Sequence, residues 1–329
     1  NELPPAFGAG EYQPTESREK QLRQTLTDMG FDEAMSYSFV DTKHDDVFEP
    51  VPGVLIETSA EPFVTLRDSV IDGAVRMRST IIPGLLEAVR LNLNHQRRDV
   101  KLFEIGKVFA SSKSADHAPN EQKLLTLVIT GGELVEGRAI AARGLDFYDA
   151  KGAIEAALAA VGIPTCTFAA ADVKHLRRGQ SASITASGKI VGYVGRLSDE
   201  ITSSYKFKQP VYTAEVNLQS VLEEIPVTAT YQPLAKYPSV TRDVSLLVAR
   251  TTEFESIRQC VALLNSELCR NILFVDTYEG KGVVEDERSV TIRLEYRSDE
   301  RTLIESEVDA EHQRILASLA VDIGVKPRF

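Results

Sequence analysis

The residues best suited to chemistry lie in the last third of the chain. A run near 271–279 carries Phe274, Asp276 and Tyr278 at alternate positions. A second run, near 288–297, alternates Val290, Ile292, Leu294 and Tyr296 with Ser289, Thr291, Arg293, Glu295 and Arg297. Successive side chains of a strand point to opposite faces, so each set shares one side. The apolar set should pack inward, which turns Ser289, Arg293 and Arg297 outward. Val275 and Thr277 suit the inner side of their strand, leaving Phe274, Asp276 and Tyr278 on the open side. Rings and guanidinium groups on an open sheet can stack on unpaired bases and meet phosphates, the chemistry of single-strand RNA binding. An exposed ring can equally pack on a neighbour, and the pattern by itself leaves both readings open.

The elements that must position these residues read as β-α-β-β-α-β. Strands are expected near 242–249, 271–279 and 288–297, with a short one near 325–328. Helices are expected near 253–266 and 303–321. That is the order of a ferredoxin-like unit over 236–329. Residues 226–235, with Pro226 and Pro233, read as a connector, and the Pro- and Gly-rich residues 1–14 as a linker or arm.

Signals for catalysis are sparse. His44, His95, His117, His175 and His312 are dispersed, without the spacing of a metal site. Cys166, Cys260 and Cys269 lack paired spacing and read as buried free thiols in a reducing cytoplasm. Gly280-Lys281-Gly282 lacks the helix-opening context of a phosphate loop and reads as a hairpin turn. Gly131-Gly132 followed by Arg138 is equally weak, and no Gly-x-Ser-x-Gly elbow occurs. No catalytic residue, metal site or cofactor is therefore assigned to this chain.

The 329 residues suit two domains, and 43% hydrophobic with 26% charged residues is ordinary for a globular protein. Nothing resembles a membrane span. The start, Asn1-Glu2-Leu3-Pro4-Pro5, reads as that of an excised or processed fragment. Net charge is −11, with −4 in 236–329 and −7 before it. A nucleic-acid binder usually shows a basic surface, so any RNA contact must use local patches.

Residues 15–225 mix helices with hairpin-linked strands, an antiparallel α+β pattern. Thr15 can cap a helix over 16–29, with Leu22, Leu26 and Met29 on one face and Gly30 as its stop. Met35, Tyr37 and Phe39 alternate in an extended stretch. A helix should begin near Pro83, backed by Leu85, Leu86, Val89 and Leu93. Strands are expected over 100–109, 124–130, 182–185, 189–195 and 211–216, a loop over 111–123, and a helix over 149–161. Ser187-Gly188 reads as a hairpin turn.

Several motifs resemble the C-terminal part of the bacterial phenylalanyl-tRNA synthetase beta subunit. In the last domain these are Lys236-Tyr237-Pro238-Ser239-Val240-Thr241-Arg242-Asp243, Phe274 to Gly280, Arg301-Thr302-Leu303 and the run around Lys326-Pro327-Arg328. Earlier matches are Met29-Gly30-Phe31-Asp32-Glu33, Arg78-Ser79-Thr80-Ile81-Ile82-Pro83-Gly84, Leu102-Phe103-Glu104-Ile105-Gly106, Asp146 to Gly152 and Gly192 to Leu197. The resemblance spans nearly the whole chain. It implies an inactive class II synthetase-like domain over 15–225 and a ferredoxin-fold anticodon-binding domain over 236–329. It further implies a cytoplasmic (αβ)2 heterotetramer that joins phenylalanine to tRNA(Phe) using ATP and Mg2+, with the active site in the alpha subunit. The family's upstream editing and magnesium-binding modules would not be in this chain. Lys236, Arg242, Asp276, Tyr278, Ser289, Arg301 and Arg328 are carried over as tRNA-binding candidates; Phe274, Arg293 and Arg297 join them from the strand-face argument.

The resemblance also explains why no active site is expected. Active class II sites use arginines to neutralise the triphosphate. Phe103-Glu104 stands where active relatives have Phe-Arg, and no Gly-rich junction ending in Arg is evident. Two stretches depart from the family pattern: Arg67 to Val75, and His175-Leu176-Arg177-Arg178-Gly179-Gln180 in place of His-Pro-Gly. Two alternatives stand beside this reading, a single-chain organellar-type synthetase and a ferredoxin-like metabolite sensor.

Overall fold

The computed structural model describes residues 15–55, 61–69, 71–112, 118–132, 143–163, 165–224, 230–231 and 233–328. The chain forms two compact units, 1–229 and 230–329. The expected arm, Pro226, His117 and Arg138 lie outside the described residues. Among the described residues no helix is long and apolar enough to cross a membrane. The three cysteines are free; Cys260 is buried, while Cys166 and Cys269 are only half-buried.

In the first unit α1 (Glu16–Asp28) ends just before Gly30, where φ is +81°. Leu22 and Leu26 are fully buried, whereas Met29 caps the helix end and is exposed. Next come β1 (Asp32–Glu33), β2 (Phe39–Val40) and β3 (Arg76–Met77). The expected alternation around residue 37 does not bury its apolar side: Met35 and Tyr37 face water. The stretch from Arg67 to Val75 is flanked by hydrogen bonds from Leu66 N to Val75 O and from Met77 N to Val64 O.

Helix α2 (Ile82–Asn94) has its proline in the first turn and buries Leu85, Leu86 and Val89. Strands β4 (Val100–Ala110) and β5 (Asn120–Thr130) follow, so residues 120–123 belong to a strand and not to the expected loop. Helix α3 (Phe147–Ala160) is capped by Asp146. The unit closes with β6 (Cys166–Ala170), β7 (Leu176–Ala186), β8 (Lys189–Leu197), α4 (Asp199–Ser204), β9 (Val211–Asn217) and α5 (Leu218–Glu223). Ser187 and Gly188, with φ of +49° and +77°, make the β7–β8 turn, as two-residue hairpins require. The altered stretch after His175 is an irregularity in β7 that contains Gly179 at φ +76°.

Seven of these strands form one sheet, β1-β4-β5-β9-β8-β7-β6, antiparallel except for β1 beside β4, while β2 and β3 pair separately. One face, with Phe103, Leu125, Leu127, Ala214 and Val216, is apolar and packs with residues of α1, α3 and α5. The opposite face mixes Leu102, Leu124 and Val128 with Glu104, Thr126 and Glu215, and packs with α2.

Two buried carboxylates organise that second face. Glu104 accepts from Arg78 Nη1 at 2.7 Å and from Ser36 Oγ at 2.6 Å. Arg78 also donates through Nε to Lys107 O and through Nη1 to Ser36 Oγ. Gly106 is required beside it, because a Cβ there would lie 2.3 Å from Arg78 Nη2. Glu215 accepts from Thr80 Oγ1, Thr126 Oγ1 and the Ile81 amide within 2.9 Å. Burial pushes its carboxyl above the usual range, against those hydrogen bonds and the charge of Arg78.

The second unit comprises β10 (Val240–Ala249), α6 (Phe254–Leu263), β11 (Cys269–Tyr278), β12 (Glu287–Tyr296), α7 (Glu305–Ile323) and β13 (Lys326–Arg328). Its sheet runs β11-β12-β10-β13, antiparallel throughout, which is the ferredoxin-like arrangement read from the sequence. Val290, Ile292, Leu294 and Tyr296 are buried with Ile257 and Val261 of α6 and Ile315 and Leu319 of α7. The other sheet face carries no helix among the described residues of this unit.

Removing one partner of a buried ion pair strands the other charge. Arg78→Met should therefore cost the first unit about 3–5 kcal/mol in urea unfolding. Arg78→Met combined with Glu104→Met should regain most of it; no recovery would mean that the pair is not the cause. His175 offers a second test. It is buried, its Nδ1 accepts from the Glu49 amide, and burial lowers its pKa to about 4. Between pH 6.5 and about 4 the unfolded chain takes this proton and the folded chain does not. The sign is loss of stability on acidification, up to about 3 kcal/mol. His175→Asn should remove that dependence, seen as a flatter stability profile against pH than the wild type.

Candidate nucleic-acid interface

Strand register sets out the open face of the second unit in rows. Lys326, Leu247, Ser289 and Tyr278 lie side by side across the four strands. Arg328, Ser245, Thr291 and Asp276 form the next row, then Asp243, Arg293 and Leu273. Ser245 and Thr291 exchange a hydroxyl hydrogen bond at 2.9 Å. Asp276, Tyr278, Ser289, Arg293 and Arg328 thus share the open side.

Phe274 does not, which overturns its expected placement. The pairing skips a residue between Phe274 and Asp276, so Val275 is the extra residue of a β-bulge. A bulge inserts one residue and shifts the alternation by one. Phe274 pairs with the inward Ile292 and lies edge-on to Phe254 of α6, centroids 5.8 Å apart. Val275, expected to be inward, is exposed; Thr277, opposite the buried Val290, is inward as expected.

Tyr278 and Arg328 come from the two edge strands and meet above the middle ones. The Arg328 guanidinium carbon lies 5.0 Å from the Tyr278 ring centroid, a cation–π arrangement. Ser289 faces outward yet is only 2% exposed, as expected for a side chain in the row beneath that pair. The Tyr278 hydroxyl donates to Lys281 O at 3.4 Å. Gly280 must lack a side chain, because a Cβ there would lie 2.6 Å from the same hydroxyl oxygen. The Gly280-Lys281-Gly282 run is the β11–β12 turn, with Gly282 at φ +91°. Tyr278 keeps 44% of its surface in water.

The remaining candidates are bound up in ion pairs. Arg293 makes two 2.7 Å hydrogen bonds to Asp243, directly opposite it in β10. Arg301 pairs with Glu307 in the first turn of α7. Arg297 lies beyond the end of β12 and pairs with Asp299. Arg242 pairs opposite the inward Leu294, so it sits on the helix side, within 3.5 Å of Glu305 and Asp309. Lys236 is exposed ahead of β10, with no ion pair among the described residues. Leu273, Lys281 and Lys326 were not singled out from the sequence; the register of β11 and β13 is what brings them to this face or its rim.

The first unit offers no comparable surface at its polar sheet face. Both carboxylates there are enclosed, and the Arg78 guanidinium is spent on protein acceptors. Among the described residues no group of three or more His, Cys, Asp or Glu could hold a metal ion.

Residues 2–218 match the model of the phenylalanyl tRNA synthetase beta chain CLM domain. The chain belongs to that family. Residues 235–328 match the ferredoxin-fold anticodon binding domain. The chain is 30% identical over 317 residues to the phenylalanine–tRNA ligase beta subunit of Geobacter sulfurreducens, covering 94% of the chain and 38% of that protein. It is 33% identical over 300 residues to the beta subunit of Pseudomonas putida, covering 91% of the chain and 36% of that protein. The chain thus spans under two-fifths of the length of these two relatives. A solved pyrrolysyl tRNA synthetase from Desulfitobacterium hafniense aligns over 62% of the chain and 66% of its own, at a TM-score of 0.45 and 17% identity, too distant to inform the site.

The bulge makes a separable prediction. Phe274→Ala removes the edge-on contact with Phe254 and should lower the stability of the second unit by about 1 kcal/mol. Its effect on any RNA affinity should be small. A large loss of affinity with unchanged stability would return Phe274 to the binding face.

Proposed function

We propose that this chain is a non-catalytic part of a phenylalanine–tRNA ligase beta subunit. In this reading it docks with an alpha subunit in a cytoplasmic (αβ)2 heterotetramer. The open face of its second unit then receives the anticodon of tRNA(Phe), while ATP and Mg2+ act in the rest of the enzyme. One observation carries the RNA role: a half-exposed tyrosine on an open sheet, with an arginine that has no ion pair among the described residues laid against its ring. Bases stack on such rings whatever their identity, and the cation suits the adjoining phosphate. Asp276 and Ser289 beside it are short hydrogen-bonding groups suited to base edges. Family membership supports the assembly role. The filled polar face of the first unit supports the absence of chemistry there, since its arginine already neutralises Glu104.

Tyr278→Ala should weaken tRNA(Phe) binding by about 1–3 kcal/mol at fixed salt, the usual worth of one stacked base. An unchanged affinity would remove Tyr278 from the interface. Co-purification with the cognate alpha subunit, followed by phenylalanine-dependent ATP–pyrophosphate exchange, tests the rest. The expected result is a stable complex, with no exchange by this chain alone. Exchange by the isolated chain would place an active site within it.

A further inference from the structure

The second unit is acidic overall, yet its cations are not distributed evenly between paired and free. Arg242, Arg250, Arg258, Arg270, Arg293, Arg297, Arg301 and Arg314 each lie within ion-pair distance of a carboxylate. Arg288 is held by Thr252 O. Besides Lys236, the cations left among the described residues with neither a carboxylate nor a backbone acceptor are Lys281, Lys326 and Arg328.

These three belong to the same open face or its rim as Tyr278. Lys326 occupies the outward row of Leu247, Ser289 and Tyr278. Arg328 stacks on the ring. Lys281 sits in the turn whose carbonyl receives the Tyr278 hydroxyl, and the same turn brings Gly282 beside Arg328: a Cβ on it would lie 3.6 Å from Arg328 Nη2. Both lysines are exposed. An exposed cation with no internal partner keeps its full charge for an incoming anion, whereas a paired arginine must first give up its carboxylate. The two lysines come from opposite edges of the sheet, one at each end of the outward row that holds Tyr278.

We propose that Lys281 and Lys326 form, with Arg328, a phosphate-binding corner that holds the RNA backbone beside the nucleotide stacked on Tyr278. The proposal rests on the RNA reading of this face and adds two residues to it. The paired arginines, including Arg293 and Arg301, contribute little by comparison.

The test uses the full chain with transcribed tRNA(Phe) and its anticodon stem-loop, measured over a series of salt concentrations. Lys281→Gln and Lys326→Gln should each weaken binding and lower the slope of log affinity against log salt by about 0.7, with about 1.4 for the double variant. Arg258→Gln, on α6 and paired with Glu255, removes the same charge away from the sheet face and should leave the slope unchanged. Slopes for the lysine variants equal to that of Arg258→Gln would overturn the corner. Tyr278→Ala separates the two levels. If it weakens binding while the lysine variants keep the wild-type slope, the corner alone fails. If it too has no effect, the RNA reading of the face fails and the corner with it.

Discussion

Charge withdrawn from water without a partner is too costly to tolerate, and the structure depends on that constraint where its charges are buried. In the first unit it dictates the polar side of the seven-stranded sheet. Arg78 enters from the segment before α2, Glu104 from β4 and Ser36 from the segment after β1, and the three satisfy one another. Because each comes from a different element, the pair fixes how that segment and the sheet meet. Gly106 and Gly84 yield the room: a side chain at Gly84 would strike Ser36, and one at Gly106 would strike Arg78. Glu215 is a second buried carboxylate two strands over, tying the start of α2 to β9 through Thr80 and the Ile81 amide. In the second unit the ion pairs instead lie at the surface, where their charges stay largely in water. Most arginines are matched by a carboxylate from a neighbouring strand or helix turn, so the charges left over are conspicuous by position.

The order of elements was legible because it follows from hydrophobic period and turn chemistry. Strands β4, β9 and β12 and helices α1, α2, α3 and α7 stand within a few residues of their expected places. The inward set of β12 is apolar at every second position, and nothing in the structure disturbs it. Strand β11 shows where that argument stops. Alternation carries across a strand only while each residue has one partner, and Val275 has none. No local sequence feature marks the bulge; Ile272, Leu273, Phe274 and Val275 are all apolar, so the run suits either register. Phe274 and Tyr278 therefore part company although they are four residues apart, an even number.

The site was legible in its kinds of residue and less so in their partners. Tyr278, Asp276, Ser289 and Arg328 were named and do share a face. Whether an arginine is free or paired depends on which strand lies beside it, and sequence spacing does not supply that. Arg293 is neutralised by Asp243 across a strand pair separated by fifty residues of chain. Arg242 is on the far side of the sheet for the same reason of register. Lys281 and Lys326 were hidden by opposite causes. One lay in a turn that reads as mere punctuation, the other on an edge strand of three residues whose pairing is set wholly by tertiary contact. Glu104 and Glu215 pose the converse problem: a carboxylate in a strand reads as a solvated residue until the covering helix is known.

Net charge proved the least informative of the sequence quantities, and the reason is distance. At physiological ionic strength the interaction between exposed charges fades over about 8 Å. A carboxylate already engaged with an arginine on the helix side of the sheet therefore does little to an anion arriving on the open side. In the proposed reading a phosphate would meet Arg328 on the ring, Lys281 in the adjoining turn and Lys326 in the same outward row, with Asp276 in the next row. An acidic chain can in this way keep most of its surface repulsive to nucleic acid while leaving one corner attractive. Such a surface disfavours indiscriminate backbone binding, because few placements of a phosphate chain find the corner without also approaching uncompensated carboxylates such as Glu285 and Asp286 of the β11–β12 connection. In the proposed RNA reading, acidity and recognition are complementary properties of one surface: the first narrows where a backbone can lie, and the second reads what that placement presents to Tyr278.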